Sequence, residues 1–175
     1  MRYALAALIA TLSVTSAIAA DSPASARIDL KNSTGASVGS ATVTEAPNGV
    51  LLHIEVKGLA PGWHGLHFHE TGDCSKADFT SAGGHVHAMA TKTHGLMNPD
   101  ANEAGDLPNL YVAADGSAVV DLFSTYVSLK GGGARPALMD KDGSALVIHA
   151  NADDYRSQPI GGAGARIVCG VIPGA

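Results

Sequence analysis

The sequence predicts an all-β domain, a Greek-key β-sandwich or flattened barrel of about eight antiparallel strands. Three observations carry that expectation. Helix patterning is weak throughout, and the 175 residues include 21 glycines. Valine, isoleucine and threonine recur in short runs of alternating apolar and polar positions, the period of a half-buried strand. Turn residues close each run before it reaches helical length.

The runs follow in order. Ala26 to Leu30 alternates, and Asn32-Ser33-Thr34-Gly35 turns the chain. Val38 to Thr44 returns, and Pro47-Asn48-Gly49 turns again into a third strand, Val50 to Val56. Gly58 to Gly62 reads as a loop and His64 to His69 as a fourth strand. Leu110 to Val112 and Ala118 to Phe123 flank the hairpin signal Asp115-Gly116. Ala145 to His149 and Arg166 to Ile172 complete the set.

Gly72 to Asn109 breaks this rhythm, with almost no periodic hydrophobicity. A structureless loop of that length inside a compact domain is uncommon and usually functional. It cannot order itself by burial alone, because fixing each backbone residue costs entropy that apolar contacts must offset. It carries Cys74, His85, His87, His94 and several carboxylates. A disulfide and a metal are the candidate ties.

Residues 1–20 read as a signal peptide, leaving 21–175 as one domain. Met1-Arg2-Tyr3 is a short positive start, Ala4 to Val14 an apolar core, and Ala17-Ile18-Ala19 a small-x-small cleavage pattern. The apolar run is shorter than the ~20 residues that span a bilayer. The expected location is therefore secreted or periplasmic, with no membrane attachment after cleavage. In an oxidising compartment the even pair Cys74 and Cys169 makes a disulfide the default reading, two free buried thiols being the alternative. The formal net charge of −5 argues against nucleic acid, which calls for a basic patch. If the substrate is an anion, a local positive charge must guide it.

His67-Phe68-His69 ends a predicted strand, where residues i and i+2 share a face. Both imidazoles can converge on one ion. Alone the pair is weak evidence. It is joined by Gly62-Trp63-His64-Gly65-Leu66 before it, and by Glu70-Thr71-Gly72-Asp73-Cys74 after it. Ala82-Gly83-Gly84-His85, His94-Gly95 and Gly105-Asp106-Leu107-Pro108-Asn109 follow, then Val147-Ile148-His149 with Asp153-Asp154, and Gly162-Ala163-Gly164-Ala165-Arg166 running to Cys169 and Ile172. This ordered set resembles the copper/zinc superoxide dismutase family, from about Arg27 to Ile172.

The resemblance implies copper on His67, His69, His85 and His149, and zinc on His85, His94 and Asp106, with His85 bridging the two ions. It implies Asp153 as the carboxylate that orients one ligand of each metal, Cys74–Cys169 as the family disulfide, and Arg166 as the cation beside copper. The implied reaction is dismutation of superoxide anion to dioxygen and hydrogen peroxide, with Arg166 and His85 as the catalytic groups. The residue types suit the task independently. Imidazole suits both copper and zinc, a ligand imidazole needs its second nitrogen occupied, and arginine is a permanent cation. A non-enzymatic copper buffer of the cell envelope is the rival reading, since the same histidines would serve it. A homodimer is left open.

The remaining histidines, His53 and His64, read as structural. His87 stands where the family usually has Asn or Asp, and Ala88 where it usually has proline; His87 is either structural or a further metal contact. The sharpest departure is Glu103, nine residues after His94 and three before Asp106, in the slot of the family's third zinc histidine. Glutamate can ligate zinc. The zinc site then survives with altered charge, or it is weakened or empty; that Glu103 simply faces water is the alternative to its being a ligand. Tyr155 to Ala165 carries one charge, Arg156, so anion guidance is expected to rest mainly on Arg166.

Overall fold

The computed structural model describes residues 23–131 and 133–175. The signal-peptide reading of residues 1–20 lies outside the described residues. Among the described residues there are nine strands: β1 (Ser25–Asn32), β2 (Ser37–Ala46), β3 (Gly49–Val56), β4 (Gly62–His64), β5 (Leu66–His69), β6 (Leu110–Val112), β7 (Ala118–Ser124), β8 (Ser144–His149) and β9 (Arg166–Ile172). Seven form one antiparallel sheet in the order β5-β8-β9-β1-β2-β3-β7, and β4 pairs with β6 in a second. The architecture is an antiparallel half-barrel, in keeping with the all-β sandwich or flattened barrel that the strand pattern predicts.

One difference is instructive. The run His64 to His69 is not a single strand. It breaks at Gly65, whose N–H donates to Asn151 O (2.7 Å) and whose carbonyl accepts from His149 N (2.8 Å). A Cβ there would stand 2.8 Å from Ala163 Cβ. The glycine thus lets the 150–164 segment lie against the strand, and β4 swings away to pair with β6.

Alternation explains where the site sits. In β5, Leu66 and Phe68 point into the main core while His67 and His69 take the other face. In β8, Leu146 and Ile148 join the core while Ala145, Val147 and His149 share the face of the β5 histidines. Every residue of both strands is nonetheless buried. The outer face is covered by the long loop, whose Phe79 and Ala82 pack with Ala145, Val147 and Cys169 as a second apolar cluster. The metal-type histidines therefore lie between sheet and loop.

The loop has no strand of its own, only a 3-10 turn at Thr80–Ala82. Cys74 and Cys169 are bridged, tying it to β9. Backbone bridges do the rest: His69 with His85, His67 with Asp106, and His87 with Glu103. Phe68 N donates to Gly105 O and Val86 N to Phe68 O, at 2.8 and 2.9 Å. Any side chain on Gly105 would collide with the Phe68 carbonyl, which makes glycine the residue this close approach requires.

Candidate metal centre

His67, His69, His85 and His149 are all buried, and one ring nitrogen of each lies within 4.8 Å of the other three. Strand geometry supplies three of them, and the loop brings His85. The outward nitrogen of each ring is held. His67 Nε2 donates to Asp153 Oδ2 at 2.9 Å, His69 Nδ1 to Gly83 O at 3.0 Å, and His149 Nδ1 to Gly164 O at 3.0 Å. The inward nitrogens, His67 Nδ1, His69 Nε2, His85 Nε2 and His149 Nε2, have no hydrogen-bond partner among the described residues and are shielded from solvent. Buried polar atoms are ordinarily satisfied, and leaving one unpaired costs about 1–3 kcal/mol. Four aimed at a common point are the signature of a cation site. Burial also keeps three of these rings neutral, as ligands must be: it lowers His67 to about 4 and His149 to about 3, and holds His69 well below the usual 6.5.

A second set shares His85. Its Nδ1 stands 2.8 Å from Glu103 Oε2 and 2.9 Å from Asp106 Oδ1. His94 Nδ1 stands 3.2 Å from the same Glu103 oxygen and 3.0 Å from the Asp106 carboxylate. The Glu103 side chain is only 7% exposed, so the water-facing alternative is overturned. Four donors around one zinc at ~2.0 Å would stand about 3.3 Å apart, close to these spacings. Burial opposes charge on both rings, yet the carboxylates outweigh it. His85 is raised above its usual value by Asp106 and Glu103, and His94 is pushed up to about 11 by Asp106, Asp153 and Glu103. Burial likewise opposes ionisation of Asp106 and Glu103, and both are still held below the carboxylate range by His85 and His94. The pocket of negative charge is one that a dication can neutralise in place of ring protons. His67 also falls within 4.8 Å of His85, His94 and Asp106. Its ring stacks on His85 with centroids 4.0 Å apart, and its Nε2 is committed to Asp153, so it belongs with the first set.

Asp153 links the sets. Its Oδ2 accepts from His67 and its Oδ1 from His94 Nε2, at 2.9 and 3.0 Å. Sequence reasoning found this aspartate but missed what holds it. Asn109 Nδ2 donates to Asp153 O and Asn109 Oδ1 accepts from Asp153 N, both at 2.9 Å. Tyr155 N donates to Asp153 Oδ1 at 2.6 Å, and its hydroxyl accepts from Asn109 N at 2.7 Å. Gln158 clamps His94 by its backbone, accepting from His94 N and donating to His94 O at 2.9 Å each. Apart from the local Tyr155 N contact, these are side-chain contacts across dozens of residues, with no local sequence signal.

Residues 37–172 match the family described as copper/zinc superoxide dismutase. The chain belongs to that family. It is 62% identical over 148 residues to a Cu-Zn superoxide dismutase of Caulobacter vibrioides, covering 85% of each chain. Its fold is similar to that of a SOD-like protein from Bacillus subtilis, with TM-score 0.78, 43% identity, and 83% of this chain and 96% of that one covered. The Cu/Zn superoxide dismutase of Brucella abortus superposes with TM-score 0.68 at 30% identity, covering 85% and 99%.

The other residues singled out in this family member are placed as follows. Arg166 opens β9 opposite His149. Its Nη1 donates to Phe79 O at 2.6 Å and its Nη2 to Gly83 O at 2.7 Å. Gly83 O also accepts from His69, so the guanidinium is moored beside a metal-set histidine. His64 bonds His149 O at 2.7 Å and Ala60 O at 2.8 Å, a brace between loops. His87 Nδ1 contacts the His85 carbonyl at 3.0 Å and Glu70 Oε2 at 3.3 Å, neither of them a donor atom of either set. His53 is on the outer face of β3, between Asp121 and Glu55.

Proposed function

We propose that the protein dismutates superoxide at a copper ion held by His67, His69, His85 and His149, with a zinc-type ion held by His85, His94, Glu103 and Asp106. The observation that carries this reading is the set of four buried, unpartnered ring nitrogens. Each opposite nitrogen is satisfied, so the vacant valences are arranged rather than accidental. Copper there would supply a one-electron couple: one superoxide is oxidised to dioxygen, a second is reduced, and two protons complete hydrogen peroxide.

The chain's own residues do the rest. Asp153 fixes the tautomer and orientation of His67 and His94 together, so the two sites are not independent. Asn109 and Tyr155 keep that carboxylate from rotating. Arg166, moored by Phe79 O and Gly83 O, presents a fixed positive charge on a chain whose formal net charge is −5. It attracts a small anion toward the copper set and holds it there. His85 Nε2 is the atom at which a proton can be held for the departing peroxide. The disulfide agrees with an exported, oxidising location, periplasmic or secreted.

The test pairs metal content with superoxide consumption in the parent and in His149→Ala. The variant is expected to stay folded, lose most copper and lose nearly all activity. Copper-loaded parent protein that consumes no superoxide makes this a copper-holding protein instead. Arg166→Glu separates the two as well: it lowers the rate of an enzyme, most at low salt where charges are least screened, and leaves a buffer's copper affinity almost untouched.

A further inference from the structure

We propose that a pocket beside the second donor set is the port through which that ion enters and leaves, an inference that rests on His85, His94, Glu103 and Asp106 being its holders. The pocket measures about 420 Å³ and lies between the 88–104 segment and the loop bearing Tyr126, Ala134 and Pro136. Glu103 and Asp106 are the charged side chains on its wall; the rest is apolar or amide apart from the Tyr126 phenol. Two carboxylates on the wall of an otherwise uncharged pocket focus a negative potential that draws a cation and repels an anion.

Among the described residues the other approaches are closed by burial of the donors. The side chains of His67, His94 and Asp153 are 0% exposed, and those of His85 and Asp106 are 2% and 1%. Asp153 covers His94 Nε2, and Gly161 closes on both. Glu103, at 7%, is the most exposed of the four holders, and it stands at the pocket wall. It is the donor an incoming dication meets first. Arg166 is not part of this pocket; it sits on the Gly83 side. The two donor sets are thus approached from different sides, an anion past Arg166 and a cation past Glu103. The carboxylate in a histidine slot is then more than a tolerated ligand: it gives the port its charge.

Rates of Zn2+ uptake and of Zn2+ release to a chromophoric chelator test this, measured on the purified protein with Zn2+ alone as probe. Ala101 and Ala134 both line the pocket, both are exposed, and neither is a donor. Ala101→Trp and Ala134→Trp should slow uptake and release alike, by about tenfold, with the equilibrium constant unchanged, because an obstruction raises one barrier crossed in both directions. Ala101→Leu, a smaller filling that guards against a misfolded Trp variant, should slow both by less. Val119→Trp, on the exposed face of β7, is the control and should match the parent. Folded filling variants that exchange Zn2+ at the parent rate overturn the port. So does slower release with unchanged uptake, which reports affinity and not passage. A parent that takes up no Zn2+ overturns the port and the donor assignment together, whereas the preceding outcomes leave the donor assignment standing.

Discussion

Glu103 and His85 are joined by a hydrogen bond of 2.8 Å between Oε2 and Nδ1, although they lie 18 residues apart in a loop with no regular structure. The same His85 turns its other nitrogen toward the copper-type set. A change at Glu103 is therefore felt at the residue common to both sites. Glu103→His should tighten Zn2+ binding and raise the melting temperature in Zn2+, because a neutral borderline ligand replaces a hard oxygen donor that shares the site with Asp106. Glu103→Ala should weaken Zn2+ binding by at least about tenfold, in line with losing an interaction worth ~1.4 kcal/mol or more. Competitive titration of the three proteins measures both. A parent that already equals the histidine variant would falsify the altered-site reading.

Gly161 and Gly162 offer a matched pair. Both have positive φ, 59° and 71°, so alanine strains either by roughly 1–2 kcal/mol. A Cβ on Gly162 meets open space, whereas one on Gly161 collides with Asp153 Oδ1. Gly161→Ala should displace the carboxylate that orients His67 and His94, and lower retention of both metals. Gly162→Ala should lower the melting temperature modestly and keep both. Equal metal content in the two variants would show that Asp153 tolerates displacement.

The Cys74–Cys169 bridge spans a sequence separation of 95. In the chain-entropy model a loop near that length is worth ~4.7 kcal/mol, and removing native bridges from small secreted domains typically costs ~2–5 kcal/mol. Cys74→Ser with Cys169→Ser should fall in that range by denaturant titration. The loop bearing His85 should become the first region to lose hydrogen-exchange protection. Uniform loss across the sheet would mean that the metal sets, not the bridge, order the loop.

His53 makes a pH prediction free of the metal sites. Asp121 at 2.6 Å, then Glu55 at 3.1 Å, raise its pKa above 6.5. A raised folded pKa means that this contribution to stability is fully present below the unfolded value near 6.5 and is lost as pH rises through the higher folded value. The site is exposed, so the effect on stability is small. An NMR titration should place His53 above 6.5, and Asp121→Asn should bring it down. A parent midpoint at or below 6.5 contradicts the pairing.

Much of this was legible in the chain before any fold was known. The period-2 runs located β1, β2 and β3 to within a residue or two, because a half-buried strand imprints alternation on its own sequence, and the short apolar runs near the C-terminus located β8 and β9. His67 and His69 could be placed on one face for the same reason. Copper-type chemistry followed from residue types in a known order. The family resemblance carried His85, His94, Asp106, His149 and Asp153.

What only the tertiary structure decided depends on contacts between distant segments. Gly65 broke a strand that looked continuous, since the reason for the break is Ala163, about a hundred residues away. The direction of Glu103 was open in the sequence, where facing water and facing a metal read alike; the backbone bridge between His87 and Glu103 turns it inward. Asn109, Tyr155 and Gln158 carry no local pattern, because a hydrogen bond to a distant backbone leaves no periodicity. The pocket at the second site is space between two loops, and space has no sequence. Local geometry writes itself into residue order, whereas long-range closure is settled only when the sheet brings its loops together.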